Sequence, residues 1–397
     1  MTDHIEPVRS RPSRTRFSWG DPRLRGLLYQ ILAVAAVTAV VWYLVSNTLA
    51  NLAARNIATG FSFLERQAGF GIGETLIPYS AADTYFRALL VGLVNTLRVG
   101  ITGIVLATIV GTIVGVARLS SNWLVAKLAA GYVELFRNIP LLLQLFFWYA
   151  VITETLPGPR DALQLLPGVF ASNRGIKIPV PGESAAYVYA AAGFALALVL
   201  SFFIHLASRR RRESGRSALP TGWLTLGLIV VLPILGWLIS GEPLVLDVPK
   251  LQGFNFVGGA TMSPEFSALL LGLVIYTAAF IAEIVRSGIL AVGRGQREAA
   301  QAIGLTERQS LRLIILPQAL RVIVPPLTSQ YLNLTKNSTL AVAIGYPDLV
   351  SVAGTTLNQT GQAIEGIAII MLVFLTISLS ISLLMNWYNK RIALVER

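Results

Sequence analysis

Long runs without a charged side chain constrain this chain more than any other feature. Four runs contain no Asp, Glu, Lys or Arg: residues 26–54, 184–208, 217–241 and 366–389. A helix of about 20 apolar residues is long enough to cross the hydrocarbon core of a bilayer. Shorter or interrupted apolar runs lie at residues 101–117, 139–152, 266–282 and 322–338. The sequence therefore predicts an all-α polytopic membrane protein with about eight transmembrane helices.

The basic residues are concentrated in every second loop between these runs. The chain has 32 Lys and Arg against 20 Asp and Glu, a net charge of +12. Such a charge also occurs in nucleic-acid-binding proteins, but basic clusters in alternate loops mark the cytoplasmic side of a membrane protein. Eight spans with both termini in the cytoplasm place all the clusters on that side, at Arg23, Arg118, Arg209, Arg294 and Lys390.

Several kinds of chemistry are excluded by the residues that the chain lacks. It has no Cys and two His, His4 and His205, so we expect no disulfide, no thiolate or histidine metal site and no Cys nucleophile. His205 is predicted to be an interfacial anchor at the basic end of a span. No Gly-x-x-x-x-Gly-Lys-Ser/Thr loop is present to hold ATP phosphates. We therefore expect neither a catalytic residue nor a cofactor in this chain.

The predicted organisation has three parts. Residues 1–24 are read as a disordered basic cytoplasmic tail with affinity for anionic membrane lipid. Residues 25–86 are read as an extra N-terminal transmembrane helix, kept uncleaved, with an outer loop. Residues 87–397 form the main transmembrane domain, with an insertion around 156–250 and a cytoplasmic loop at 290–318. Pro and Gly in residues 153–183 predict irregular backbone there, with short interfacial helices.

The cytoplasmic loop before the seventh span has unusually clear local signals. Residues 298–303 favour a helix because they are rich in Ala, and Gly304 can take the left-handed conformation that closes it. Thr306 and Gln309 have the spacing of a capping box at the start of a second helix. Pro317 limits how far that second helix runs undisturbed. The alanines keep the first helix thin enough to lie in a groove of another protein.

Two other readings of this loop were weighed. It could be a plain folded loop, or a DNA-binding helix-turn-helix, since a small residue and a Gly also shape that turn. Membrane spans close in on both sides of the loop and leave no third helix to support a recognition helix. We therefore expect no nucleic acid partner.

The spacing Glu-Ala-Ala, three residues, Gly, nine residues, Ile, one residue, Leu-Pro resembles the signature loop of ABC importer permeases. Every position is filled, by Glu298, Ala299, Ala300, Gly304, Ile314, Leu316 and Pro317. The resemblance implies a type I ABC importer permease core in which this loop forms a coupling helix. It also implies a cytoplasmic ATPase dimer that holds ATP and Mg, a second permease subunit, either related or identical, and a periplasmic binding protein.

Two further stretches, residues 132–144 and 282–288, are similar to polar amino acid permeases. The N-terminal extension and outer residues 70–75 are similar to the broad-specificity general L-amino acid permeases. The resemblance implies an importer subunit for L-amino acids in the bacterial inner membrane, forming half of the pathway. The alternative is an ion-coupled secondary amino acid carrier. Such a carrier needs no ATPase dock and keeps acidic residues near the midplane of its spans.

Charged residues inside or next to spans are functional candidates because burying them is costly. Lys336, beside Asn337, is expected to meet either a substrate carboxylate or a protein acid. Two pairs, spaced three apart on one helix face, are expected to form ion pairs within the helix or between subunits, or to act in gating: Glu283 with Arg286, and Glu134 with Arg137.

Two other features of the spans carry expectations. Arg98 is expected to reach the outer interface along its own apolar stem. Pro325 and Pro326 are expected to bend the seventh span, because proline breaks the ladder of helical hydrogen bonds.

Overall fold

The computed structural model describes residues 22–54, 59–214 and 220–392. The predicted tail at 1–24 lies almost wholly outside the described residues. The division into tail, extension and main domain stays a prediction.

Within those ranges most of the chain is helical. The α-helices, in chain order, are α1 Pro22–Ala54, α2 Tyr85–Ala117, α3 Trp123–Asn138, α4 Leu141–Ala150, α5 Ala185–Glu213, α6 Thr221–Ser240, α7 Pro264–Leu290, α8 Arg294–Ala302, α9 Glu307–Ser310, α10 Leu316–Asn337, α11 Leu349–Thr360 and α12 Ala363–Ile392. Short 3-10 turns lie at Ser62–Glu65, Pro159–Asp161 and Ser338–Ile344, and π turns at Val151–Thr155 and Leu311–Ile315.

Seven helical segments in the described ranges are long and apolar enough to cross a membrane, and a bent pair makes an eighth. The pair is Trp123–Asn138 with Leu141–Thr155, which meet at 104°. Pro140 separates them, and Ile139 before it is extended because proline disfavours helical backbone in the preceding residue. The expected count of about eight is confirmed, but the run at 139–152 is half of a bent pair. The run at 101–117 belongs to a longer helix that begins at Tyr85.

Helices α2 and α7 pack closely because glycine replaces a side chain at their contact. A Cβ atom on Gly111 would lie 2.7 Å from Ile281 Cβ, and one on Gly115 would lie 2.7 Å from the Ala282 carbonyl oxygen. Small residues four apart let two membrane helices approach in this way. Towards their N-terminal ends the same two helices continue into a buried cluster with Leu145, Phe266 and Tyr346.

The insertion adds a helical hairpin and a small β-structure. Helices α5 and α6 pack against each other at Gly193 and Gly236, where an added Cβ would lie 2.3 Å from a carbonyl oxygen of the facing helix. The strands are β1 Leu163–Leu166, β2 Val169–Ser172, β3 Gly175–Ile178, β4 Val180–Pro181, β5 Leu246–Asp247, β6 Lys250–Gln252, β7 Asn255–Val257 and β8 Ala260–Met262.

The expectation of irregular backbone at 153–183 is wrong for residues 163–178, which form three strands of one sheet. β1, β2, β3 and β8 form one antiparallel sheet in that order, while β4 pairs with β5 and β6 with β7. Pro167 and Gly168 occupy the turn between β1 and β2, where Gly168 has φ +78°. Pro and Gly suit such tight turns, so residues that predicted irregular backbone are turn residues of a hairpin.

We predict that Gly111→Val destabilises the protein, because the new side chain would collide with Ile281 and with backbone of α7. Overpacking of this kind costs about 1–3 kcal/mol. The measurement is the melting temperature of the purified chain in detergent. Gly227→Val in α6 is the matched control, because a Cβ there meets nothing within 4 Å. Equal melting temperatures for the two variants would contradict the proposed contact.

Candidate functional site

The loop that carries the importer-like spacing forms two short helices, as expected. Helix α8 starts at Arg294, four residues before the expected start, and Gly304 after it has φ +79°. The Gly304 N–H donates to the Gln301 carbonyl at 2.9 Å, which helps to close α8. The Thr306 N–H donates to Gln309 Oε1 at 2.9 Å, and the Gln309 N–H donates to Thr306 Oγ1 at 3.4 Å. The predicted left-handed Gly and capping box are confirmed.

Helix α8 turns one small residue inward and leaves its polar face open. Ala300 is fully buried, whereas Glu298 and Ala299 are exposed. Ile303, which follows the helix, is 74% exposed although it is apolar. The exposed face therefore combines charged groups with an uncovered apolar side chain, a composition that suits a protein contact.

The last three residues of the spacing lie where the loop joins α10. Ile314 belongs to the π turn, and Leu316 and Pro317 begin α10. Pro317 has no N–H to donate to the carbonyl four residues before it. The chain winds more widely at this point, and the Leu316 N–H donates to the Leu311 carbonyl. Proline therefore shifts the pattern of hydrogen bonds without ending the helical path, so the loop continues directly into α10.

A cluster of three charged side chains links α2 to α7 close to this loop. Glu283 and Arg286 pair at 2.9 Å, which confirms the predicted ion pair within α7. Arg118, just after α2, binds the same Glu283 carboxylate. The pairing of Arg118 with Glu283 was not predicted, because the two residues lie far apart in the chain and no local spacing connects them.

The other predicted pair is arranged differently. Glu134 and Arg137 are both exposed on α3. The Arg137 guanidinium carbon lies 5.0 Å from the centroid of the Phe280 ring, a cation–π contact with α7. Arg137 thus joins α3 to α7 and does not follow the expected pairing with Glu134.

Lys336 and Asn337 end α10, with Lys336 exposed and Asn337 half-buried. The two expected partners of Lys336, a substrate carboxylate or a protein acid, stay predictions. Arg321 on the same helix was not among the predicted site residues. Among the described residues its buried Nε and Nη2 atoms have no hydrogen-bond partner. Leaving buried N–H groups unpaired is costly, so the half-buried Arg321 is a further candidate for an interaction with an anion or with another subunit.

The expectation for Arg98 is wrong, because its guanidinium is held inside the protein. It pairs with Glu74 of the outer loop and stacks 3.9 Å above the ring of Phe266. The second carboxylate oxygen of Glu74 accepts from the Ser263 hydroxyl at 2.5 Å. The Asn95 side chain donates to the Glu74 and Pro347 carbonyls, each at 2.9 Å. We call Glu74, Asn95, Arg98, Ser263 and Phe266 the outer clamp.

A cavity of about 400 Å³ lies beside the outer clamp. Its walls include the backbone of the outer loop around Gly73, the two carboxylates Glu74 and Glu265, and Ser351 at the start of α11. Arg98 already neutralises Glu74, so Glu74 adds little net charge to the cavity. Within the described ranges, no group of three or more His, Cys, Asp or Glu is placed to hold a metal ion.

Asp348 caps α11 from a buried position beside α2. Its Oδ1 accepts from the Ser351 N–H at 2.8 Å, while its buried Oδ2 has no hydrogen-bond partner in the described part of the chain. Burial raises the pKa of Asp348 to about 7, although the backbone hydrogen bonds act in the opposite direction. This carboxyl therefore changes charge close to neutral pH.

The sequence of this loop and of most of the chain matches a known protein family. The family described as the inner membrane component of binding-protein-dependent transport systems matches residues 103–394, a range that contains the whole loop. The chain belongs to this family.

Relatives of this inner membrane component align over nearly its full length. The General L-amino acid transport system permease protein AapQ of Rhizobium johnstonii is 50% identical, over 95% of this chain and 94% of its own. The putative amino-acid ABC transporter permease protein YhdX of Escherichia coli is 52% identical, over 96% and 97%. A crystal structure of an amino acid ABC transporter with histidines covers 77% of this chain and 95% of its own, with a TM-score of 0.45 and 20% identity.

We predict that Glu74→Gln loosens the outer loop of this inner membrane component. The Glu74 and Arg98 side chains are 13% and 19% exposed. Loss of the Glu74 charge should therefore lower the free energy of unfolding by more than the 0.2–1 kcal/mol of a typical exposed pair. The decrease should be smaller than the about 3–5 kcal/mol of a fully buried pair. The measurement is amide hydrogen exchange, which should be faster across residues 69–84 in Glu74→Gln than in the unaltered protein. Glu65→Gln, an exposed change in the same loop, is the control, and equal exchange in both variants would refute the role of the clamp.

We also predict a pH-dependent stability that Asp348→Asn removes. Between about pH 4 and pH 7 the folded state keeps a proton on Asp348 that the unfolded chain has released. The free energy of unfolding therefore falls as the pH rises through this window. Asparagine can still cap α11 but does not titrate. The measurement is the melting temperature from pH 4 to pH 8 relative to Asp161→Asn, an exposed change. Parallel curves for the two variants would exclude the effect.

Proposed function

We propose that this family member is the permease subunit of an ATP-driven ABC importer for L-amino acids, and that ATP is hydrolysed by a separate partner subunit. The observation that carries the proposal is the exposed helix α8, because it presents the complete Glu-Ala-Ala and Gly spacing on a folded loop. The names of the two relatives with about half of their residues identical support amino acids as the cargo. The chain would lie in the bacterial inner membrane with both termini in the cytoplasm.

The connections of α8 indicate how its displacement would be transmitted to the membrane helices. Only Ala291, Val292 and Gly293 separate α7 from α8, and the loop continues into α10 without a break. The ion pairs of Glu283 tie the same end of α7 to Arg118 after α2. A displacement of α8 by a docked ATPase subunit would therefore move α7, α10 and α2 together. ATP and Mg would be bound by that partner, which supplies the hydrolysis.

The pathway requires a second permease subunit, identical or related, because one bundle does not enclose a pore. On this chain the candidate pathway or gating residues remain Lys336, Asn337, Glu283, Arg286, Glu134 and Arg137. Pro325 and Pro326 lie on an exposed part of α10, where missing hydrogen bonds let the helix bend. A periplasmic binding protein would deliver the amino acid to the outer face, where the outer loop and the small sheet lie.

Purification of the tagged chain from its native membrane tests this function. We expect an ATPase and a second permease to co-purify, and a binding protein loaded with amino acid to stimulate ATP hydrolysis. Uptake into vesicles should then require ATP. Uptake driven by a proton or sodium gradient without ATP would overturn the proposal in favour of an ion-coupled carrier.

We predict that Gly304→Val uncouples ATP hydrolysis from uptake, whereas Gly304→Asn is tolerated. A Cβ at Gly304 meets nothing within 4 Å, so the left-handed backbone, and not lack of space, is what requires glycine. That conformation costs other residues about 1–2 kcal/mol, whereas Asn adopts it readily. The strain disfavours the native turn by about five- to thirty-fold. Assays of ATPase activity and uptake on the assembled complex measure the effect.

A charge reversal tests the exposed face of α8 separately. Glu298→Lys should weaken binding of the ATPase, while Glu307→Lys, an equal change on α9 outside the spacing, should not. If the two variants retained the ATPase equally well, Glu298 would have no part in docking.

A further inference from the structure

An apolar groove runs along the seam between α2 and α12, and its volume is about 520 Å³. We define the seam groove by three lining residues from each of the two helices: Leu93, Thr96, Gly100, Leu372, Thr376 and Ser380. All six lie in the interior of described helices. A smaller pocket of about 130 Å³ shares Leu93 and Val373 with the groove. This pocket extends the groove to Leu64 in the 3-10 turn Ser62–Glu65.

The chemistry of the seam groove suits an apolar occupant. The hydroxyl groups of Thr96, Thr376 and Ser380 each donate to the carbonyl four residues earlier in the same helix, at 2.8 to 3.0 Å. Their hydrogen bonds are therefore already made, and none of the residues that line the groove is charged. Gly100 and the short Thr and Ser side chains leave room for the backbone of another helix. A membrane helix with small residues on one face fits this groove better than a charged or strongly hydrated group.

Helix α1 has the properties of such an occupant. Residues 26–54 contain no charged side chain, and every residue from 25 to 48 is exposed. Ala35 and Ala39, with Thr38 beside them, form a face of small residues four apart, the spacing through which membrane helices pack closely. Among the described residues, none from α1 lines the seam groove. The chain thus contains a membrane helix without a buried face and a groove of matching chemistry.

The connection between α1 and α2 places the end of α1 beside this groove. The Gly60 N–H donates to Glu365 Oε1 at 2.6 Å, in the first turn of α12. Leu372, Thr376 and Ser380 follow Glu365 by close to whole helical turns, so they lie on the same face of α12. Residues 55–59 connect α1 to Gly60, and a chain of this length spans at most about 20 Å. The end of α1 is therefore held within reach of the end of the groove.

We propose that, in the bilayer, α1 packs lengthwise in the seam groove of its own chain, with Ala35 and Ala39 against Thr376 and Ser380. The depths of these residues agree. Ala39 precedes Ala54 by as many residues as Ser380 follows Glu365, a rise of about 22 Å along each helix. Two antiparallel helices that start at the same level therefore bring Ala39 next to Ser380.

The short connection also decides which copy of α1 occupies the groove. A short flexible link holds a binding segment at an effective concentration on the order of millimolar, which favours the α1 of the same chain over that of a second copy. Packed in this way, α1 would cover the seam between α2 and α12 and join the N-terminal extension to the main domain. This packing does not depend on amino acid transport or on ATP.

Pairs of introduced cysteines test this packing in the full-length chain in its native membrane, because the chain has no Cys of its own. A disulfide requires two Cα atoms within about 7 Å of each other. Ala39→Cys is combined with Thr376→Cys or with Ser380→Cys, and the membranes are mildly oxidised. We expect at least one combination to lose both free thiols, counted by maleimide labelling after denaturation, while the chain stays monomeric on a non-reducing gel.

Two control pairs change only the helix face. Val41→Cys with Ser380→Cys moves the first thiol to the opposite face of α1, which is equally free of charge. Ala39→Cys with Leu375→Cys moves the second thiol to a position on α12 that is 55% exposed but does not line the groove. Both control pairs should keep two free thiols.

Three results would overturn the proposal. A disulfide-linked dimer of the chain would assign the groove to the α1 of a second copy. Two free thiols in both test pairs would leave the groove to lipid or to another protein. Equal disulfide formation in the test and control pairs would mean unspecific collisions in the membrane.

A measurement without cysteines decides if a cysteine variant fails to fold. Ala35→Leu with Ala39→Leu should lower the melting temperature of the chain in bilayer nanodiscs, because the larger side chains keep α1 from approaching the groove. Val37→Leu with Val41→Leu, on the opposite face of α1, is the matched control and should leave the melting temperature unchanged. Equal melting temperatures for the two variants would contradict the packing.

Discussion

Helices α2 and α7 approach closely because Gly111 and Gly115 leave room for Ile281 and Ala282. The same two helices are then joined beyond both ends of this contact by ion-pair clusters. At the outer end, Arg98 of α2 binds Glu74, whose other oxygen is held by Ser263 just before α7. At the loop end, Arg118 binds Glu283 of α7. Small residues bring the helices together, and the charged groups at the two ends fix their relative position.

The loop that contains α8 and the loop that contains Glu74 depend on this helix pair for their positions. Helix α8 follows α7 after three residues, while the outer loop reaches the pair through Glu74. The cation–π contact of Arg137 with Phe280 attaches α3 to α7 as well. Elements at both ends of the helix pair are thus attached to one central unit.

Features set by neighbouring residues could be predicted from the sequence, whereas those set by distant residues could not. Residues three or four positions apart determine three such features: the left-handed Gly304, the capping box of Thr306 with Gln309, and the Glu283–Arg286 ion pair. The pairing of Arg98 with Glu74 and of Arg118 with Glu283 depends on which helices meet, and apolar runs do not specify that. The strands at 163–178 were missed because their Pro and Gly mark tight turns and loose loops alike.

The two ion-pair clusters limit which motions can open a pathway. A movement that separated α2 from α7 would break the ion pair of Arg118 with Glu283 at one end, at a cost in desolvation. At the other end it would break the hydrogen bond of Ser263 to Glu74 and the contact of Arg98 with Phe266. It would also expose the close contact at Gly111. Rotation of α2 and α7 as one unit loses none of these interactions. Helix α10 is different, because Pro325 and Pro326 interrupt its hydrogen bonds and Lys336 at its end is exposed. Bending of α10 against a rigid α2–α7 unit is therefore the motion that the contacts favour.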